Sequence, residues 1–147
     1  ALELGIPCGG WCPRGRRAED GPVPDHYPLR EPPSRDYPQR TAWNVRDSDA
    51  TLVLTRGSLR GGTALTVRVA RQTARPVLVV DLHDMPSPQP ALAWLESNRV
   101  AVLNVAGPRE SENPGIAAQA RTYLRLLLSH EREGHRQAGA QGRVGAT

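Results

Sequence analysis

Glycine pairs, single arginines and single carboxylates stand directly after the apolar runs of this chain, and in that position they suit an anionic ligand. Gly61, Gly62 and Thr63 follow the run "TLVLT" at 51–55, and Gly9 and Gly10 follow "IPC" at 6–8. Asp81 closes "PVLVV", while Gly107, Arg109, Glu110 and Ser111 follow "VAVLNVA". A helix that starts after a strand offers free N–H groups and the positive end of its dipole, the natural seat of a phosphate. Thr63 is placed to cap such a helix through its side-chain oxygen. Glycine lets a ligand approach the backbone closely, and Arg16 or Arg109 can meet the same phosphate with a bidentate fork. The plainer reading is that each segment is an ordinary turn, since such turns favour Gly, Asp, Ser and Asn.

Asp47, Asp49, Asp81 and Glu110 have the chemistry for acid–base or metal work, but their spacing does not distinguish that from capping. Cys8 and Cys12, with His26 downstream, form a single cysteine pair and so a weak zinc signal. They read as reduced structural thiols, with a reactive thiol as the alternative. The chain has no Gly-x-Ser-x-Gly elbow, no P-loop and no GxGxxG fingerprint.

A chain of 147 residues suffices for one domain with a real core. Its 19 basic residues are all Arg, a pattern of GC-rich codon usage, as in many bacteria, rather than of a nucleic-acid surface. They are scattered, and aromatics for base stacking are few, so the expected partners include neither nucleic acid nor membrane. No signal peptide opens the sequence, and a cytoplasmic location is the default. A homo-oligomer stays open.

The elements that must position these residues follow from the pattern. Strands are expected near 6–8, 51–55, 76–81 and 100–105, each a continuous apolar run suited to burial on both faces. Helices are expected from about Gly62 to Thr73, from about Pro88 with Ser87 as cap, and after Asn113-Pro114. Strand–helix alternation predicts an α/β fold, a Rossmann-like open parallel sheet with helices on both faces. Ligands of such sheets sit beyond the carboxyl ends of the strands, so Gly9–Gly10, Gly61–Thr63 and Gly107–Ser111 are expected to line one cleft. The stretch 9–40 reads as a long Pro- and Gly-rich excursion, ordered by Trp11, Tyr27 and Tyr37. The domain spans 1–133, and 134–147 reads as a flexible tail. "ALELG" looks like the last turn of a helix closed by a glycine, as if the chain starts within an element.

"CGGWCPRGR", "NVRDSDATL", "GGTALT" and "AGPRES" resemble the family described as "putative molybdenum carrier" over roughly residues 1–128. That family is similar to the Rossmann-like superfamily of cytokinin-activating phosphoribohydrolases and DNA-processing protein A. Its members usually begin with a strand and a "GGQTGVDRA" loop, and this chain starts after that point. The phosphoribohydrolases carry "PGGxGTxxE", whose Glu serves catalysis; the matching Arg60–Thr66 stretch lacks it. The resemblance implies a nucleotide-like or molybdopterin-like ligand, with Asn44 and Asp47 of "NVRDSDATL" among its contacts. The cofactor implied is the molybdenum cofactor or a nucleotide, and the role a binding protein or carrier. The alternatives are a nucleotide-processing hydrolase with Asp47, Asp81 or Glu110 as base, and a non-catalytic subunit whose excursion binds a protein partner.

Overall fold

The run Ala-Thr-Leu-Val-Leu-Thr at 50–55 is buried at every position, and the domain is built outward from it. In the computed structural model, which describes residues 1–33 and 37–141, the chain opens with a 3₁₀ turn, Leu2–Leu4, closed by Gly5 at φ 63°. The excursion follows as four two-residue strands: β1 (Gly10–Trp11), β2 (Arg17–Ala18), β3 (Gly21–Pro22) and β4 (Leu29–Arg30). Then come α1 (Tyr37–Arg46), β5 (Ala50–Thr55), α2 (Gly61–Gln72) and β6 (Val77–Asp81). The chain ends in α3 (Gln89–Ser97), β7 (Leu103–Ala106) and α4 (Ile116–Gln141).

β5 lies between β6 and β7 and pairs with both in parallel, Thr55 opposite Asp81 and Val53 opposite Ala106. The fold is the α/β, Rossmann-like arrangement of parallel strands and flanking helices. Because side chains alternate along a strand, β5 serves two layers at once. Leu52 and Leu54 join Leu82, the α3 residues Ala91, Leu92 and Leu95, and the α4 residues Ile116, Tyr123 and Leu127 in one core. The alternate positions face the other layer, where α2 packs on β5 and β6 and α1 packs on α2. Burying a Leu of this kind contributes roughly 1.5–3 kcal/mol, which explains the uninterrupted apolar run.

The segment 6–8 differs from the expectation: it is no strand of this sheet. Pro7 has no N–H to give a ladder, Cys8 is exposed and Ile6 only half-buried. Pairing begins instead at Gly10–Trp11, which runs parallel to Leu29–Arg30 in a separate ribbon. Among the described residues the central sheet therefore has three strands, not four. Thr63 also departs from its expected place. It is the third residue of α2 rather than its cap, because Arg60 is extended (φ −136°, ψ 163°) and its carbonyl accepts the N–H groups of both Thr63 and Ala64. Pro88, not Ser87, stands at the N-cap of α3, and the Ser87 hydroxyl oxygen just before it accepts the Gln89 N–H at 3.2 Å. α4 continues to Gln141, past the point where the sequence pattern fades, and the remainder of the anticipated tail, 142–147, lies outside the described residues.

Asn44 bonds the ribbon backbone to α1 at two points. Asn44 Oδ1 accepts the Trp11 N–H at 2.8 Å, and Asn44 Nδ2 donates to the Trp11 carbonyl at 3.1 Å. The Trp11 and Trp43 rings pack edge to face beside this pair, 4.6 Å apart. Replacing Asn44→Ala leaves a part-buried amide without its partner, a loss of about 1–3 kcal/mol. The expected result is faster amide exchange and proteolysis within 9–31, with the β5 amides still protected.

Candidate functional site

Three loops leave the carboxyl ends of β5, β6 and β7, and two of them enclose a cleft. About 490 Å³ is bounded by Thr55, Arg56, Ser58, Arg60 and Thr63 on one side and Pro108, Glu112 and Asn113 on the other. The floor is the buried end of β5. One wall is the first turn of α2, where the leading N–H groups of Gly61 and Gly62 have no partner among the described residues. The opposite wall is the β7–α4 loop.

Arg56 locks the two walls together. Its Nε donates to Asn113 Oδ1 at 2.9 Å, Asn113 Nδ2 donates back to the Arg56 carbonyl at 3.3 Å, and a terminal guanidinium nitrogen donates to the Pro114 carbonyl. Arg60 has no such anchor and is exposed at the rim. Two guanidinium groups against the single carboxylate of Glu112 give the cleft lining a net positive charge.

Gly107 sets how closely the walls meet. A Cβ there would lie 2.6 Å from the Leu54 carbonyl oxygen, so only bare backbone fits. Its glycine is thus explained by strand packing as well as by any ligand. Asp81 joins the β5 and β6 ends: its carboxylate accepts the His83 N–H at 2.9 Å and the Gly57 N–H at 3.2 Å. These two bonds hold its pKa below the ordinary aspartate value. Glu110 likewise accepts the Gly115 and Ala117 N–H groups at the start of α4, which lowers its pKa as well.

The sequence candidates therefore divide. Thr63 lines the cleft, Gly61 and Gly62 precede it in the first turn of α2, and Gly107 directly precedes the lining residue Pro108. Gly9 and Gly10 stand apart on the ribbon, against the Pro28 carbonyl and Asn44. Arg16 is spent inside the excursion, donating to the carbonyls of Val23, Pro24, Tyr27 and Leu29 with only 17% of its side chain exposed. Asn44 holds Trp11, and Ser111 donates its N–H (3.3 Å) and its hydroxyl to Glu19. Arg109 does not line the cleft but lies over the Tyr37 ring. Asp47 accepts the Trp11 indole N–H at 2.7 Å and pairs with Arg46, which together bring its pKa down to about 2. Arg56, Ser58, Arg60 and Asn113 were not singled out by sequence reasoning, although "RGSLRGGT" and "ENPG" stand in the expected loops. Among the described residues, no three of His, Cys, Asp and Glu gather as metal ligands, and no helix is long and apolar enough to cross a membrane.

Residues 1–128 match the profile of the circularly permutated YpsA SLOG family. The crystal structure of a "Putative molybdenum carrier protein" from Syntrophus aciditrophicus SB is similar to this fold, with a TM-score of 0.81 and 43% identity over 86% of this chain and 82% of that one. No curated protein matches.

Two outcomes follow from the site's geometry. Gly107→Ala forces the Leu54 carbonyl to move and is expected to lower stability by about 1–3 kcal/mol in urea unfolding. Asp47 is more acidic folded than unfolded, so its contribution is complete above the unfolded carboxyl pKa of about 4 and is lost as pH falls toward about 2. Acid unfolding of Asp47→Asn beside the parent should show their stability difference shrinking across that window.

Proposed function

The chain belongs to the circularly permutated YpsA SLOG family, and from that premise and the cleft's donors we propose that it is a binding protein for a phosphorylated, nucleotide- or pterin-type ligand. The observation that carries this reading is a cleft at the carboxyl edge of a parallel sheet lined by Arg56, Arg60 and Thr63, beside the first turn of α2, whose Gly61 and Gly62 amides have no partner among the described residues. Each of these groups donates hydrogen bonds, and a phosphate only accepts them. The related protein's name further suggests molybdenum as cargo. The donors suit such cargo as an oxyanion or within a phosphorylated organic group, held through its anionic oxygens.

Binding without hydrolysis is the favoured activity. Asp47, Asp81 and Glu110 each accept N–H bonds that keep them deprotonated and weakly basic, the opposite of the raised pKa a general base near neutral pH needs. The "GGTALT" turn has no Glu to steady a breaking glycosidic bond.

Calorimetric titration with AMP and with molybdate tests the reading. A charge-assisted contact contributes roughly 1.5–3 kcal/mol, so Arg60→Ala should weaken AMP binding by about 10- to 100-fold. Unchanged affinity in that variant overturns the cleft as the site. Steady release of adenine by the parent protein overturns the binding-protein role.

A further inference from the structure

Arg40 on α1 and Arg109 on the β7–α4 loop approach the same aromatic ring. Their guanidinium carbons lie 5.6 and 5.7 Å from the centroid of Tyr37, itself 45% exposed. Neither side chain forms an ion pair or a hydrogen bond among the described residues. Arg40 is half-buried, and its Nε has no partner although it is shut off from solvent. Burial, and to a lesser degree the charge of Arg109, push the Arg40 pKa below the ordinary guanidinium value. Two cations held near one ring are thus left without an ion-pair partner among the described residues.

The neighbouring acids of the described residues form no ion pair with either arginine, and each is turned to a backbone donor. Glu110 accepts the Gly115 and Ala117 amides, Glu112 meets the Arg109 N–H at 3.5 Å, and Glu19 is bound by Ser111. Nor does the ring suffice. Both contacts lie near the roughly 6 Å limit of a cation–π interaction, where the attraction is weak at an exposed site. A guanidinium keeps its proton at any physiological pH, so desolvation and repulsion cannot be relieved by losing charge. An incoming anion relieves both.

We propose that Arg40 and Arg109, with the Tyr37 ring between α1 and the β7–α4 loop, form an oxyanion-binding site distinct from the cleft lined by Arg56 and Arg60. Its ligand is a phosphate, free or as the phosphoryl group of a larger molecule. Both arginines are needed, since each supplies donors that the other cannot replace.

The test follows the arginine Nε–H signals of the intact protein by proton–nitrogen correlation NMR during titration with inorganic phosphate, at ionic strength held constant with chloride. Arg40→Gln and Arg109→Gln identify the two signals. Both are expected to shift with one shared midpoint in the parent, and Arg109→Gln should raise the Arg40 midpoint about 10- to 100-fold. Arg109 is exposed, so that variant keeps the fold even if Arg40→Gln does not. Arg60→Ala should leave the Arg40 midpoint in place, which separates this site from the cleft. A parallel AMP titration with the lower midpoint assigns the site to a phosphoryl group of a larger ligand, and the reverse order assigns it to the free anion. A stationary Arg40 signal, or a midpoint indifferent to Arg109→Gln, overturns the proposal.

Discussion

The carboxyl end of β7 can lie where it does only because Gly107 has no side chain: a Cβ would stand 2.6 Å from the Leu54 carbonyl oxygen. That approach of two backbones fixes the start of the β7–α4 loop against the end of β5. The loop must then turn over Thr55, which brings Asn113 to Arg56 and closes one wall of the cleft on the other. Parallel pairing supplies the rest of the geometry. With β5 central, the loops after β5, β6 and β7 all leave at one edge, and the first turn of α2 faces them. A sheet with an antiparallel central pair would have sent one of these loops to the opposite end.

The acids of this edge serve mainly as connectors. Asp81 ties the β6 end to Gly57, Glu110 caps the start of α4, and Asp49 accepts the Ala101 and Val102 amides ahead of β7. Glu19 reaches across from the excursion to Ser111. A carboxylate bound by two N–H groups keeps its full charge, and the Arg56 guanidinium adds to the backbone bonds that lower the Glu110 pKa. The loops after β5, β6 and β7 set Arg56, Arg60 and Arg109 beside Asp81, Asp84, Glu110 and Glu112, so the edge mixes both signs. Only its cleft lining, with Arg56 and Arg60 against Glu112, is net positive. Composition records the net charge of +4. Only the pairing shows which of these charges meet.

Much of the scaffold was legible because it depends on local chemistry. "TLVLT" and "PVLVV" are continuous apolar runs of strand length, Ser87-Pro88 announces α3, and Gly61-Gly62 marks the turn into α2. The strand expected at 6–8 shows the limit of that reasoning: three apolar residues look like a buried strand until Pro7 denies the ladder a donor. The site was less legible, because what a polar side chain does depends on a partner far away in sequence. Arg16 looks like a phosphate fork, yet four carbonyls from 23 to 29 occupy it. Ser111 looks like a ligand donor, yet its partner Glu19 stands 92 residues earlier. Arg40 gave no signal at all, since a lone arginine on a helix is ordinary until Arg109 is seen beside it.

The excursion from 9 to 31 has little regular structure, and its mechanical role follows from what it touches. Trp11 packs on Trp43, Asn44 grips the Trp11 backbone, and Asp47 holds the Trp11 indole, so three residues of α1 and its C-terminal end fix one point of the loop. α1 in turn packs along α2, whose first turn is a wall of the cleft. The far end of the excursion reaches the other wall through Glu19 and Ser111. The loop thus bridges α1 and the β7–α4 loop, the same two elements that carry Arg40 and Arg109. The two guanidinium groups therefore sit on elements that the excursion ties together, whereas the sheet rests on β5, buried at all six positions.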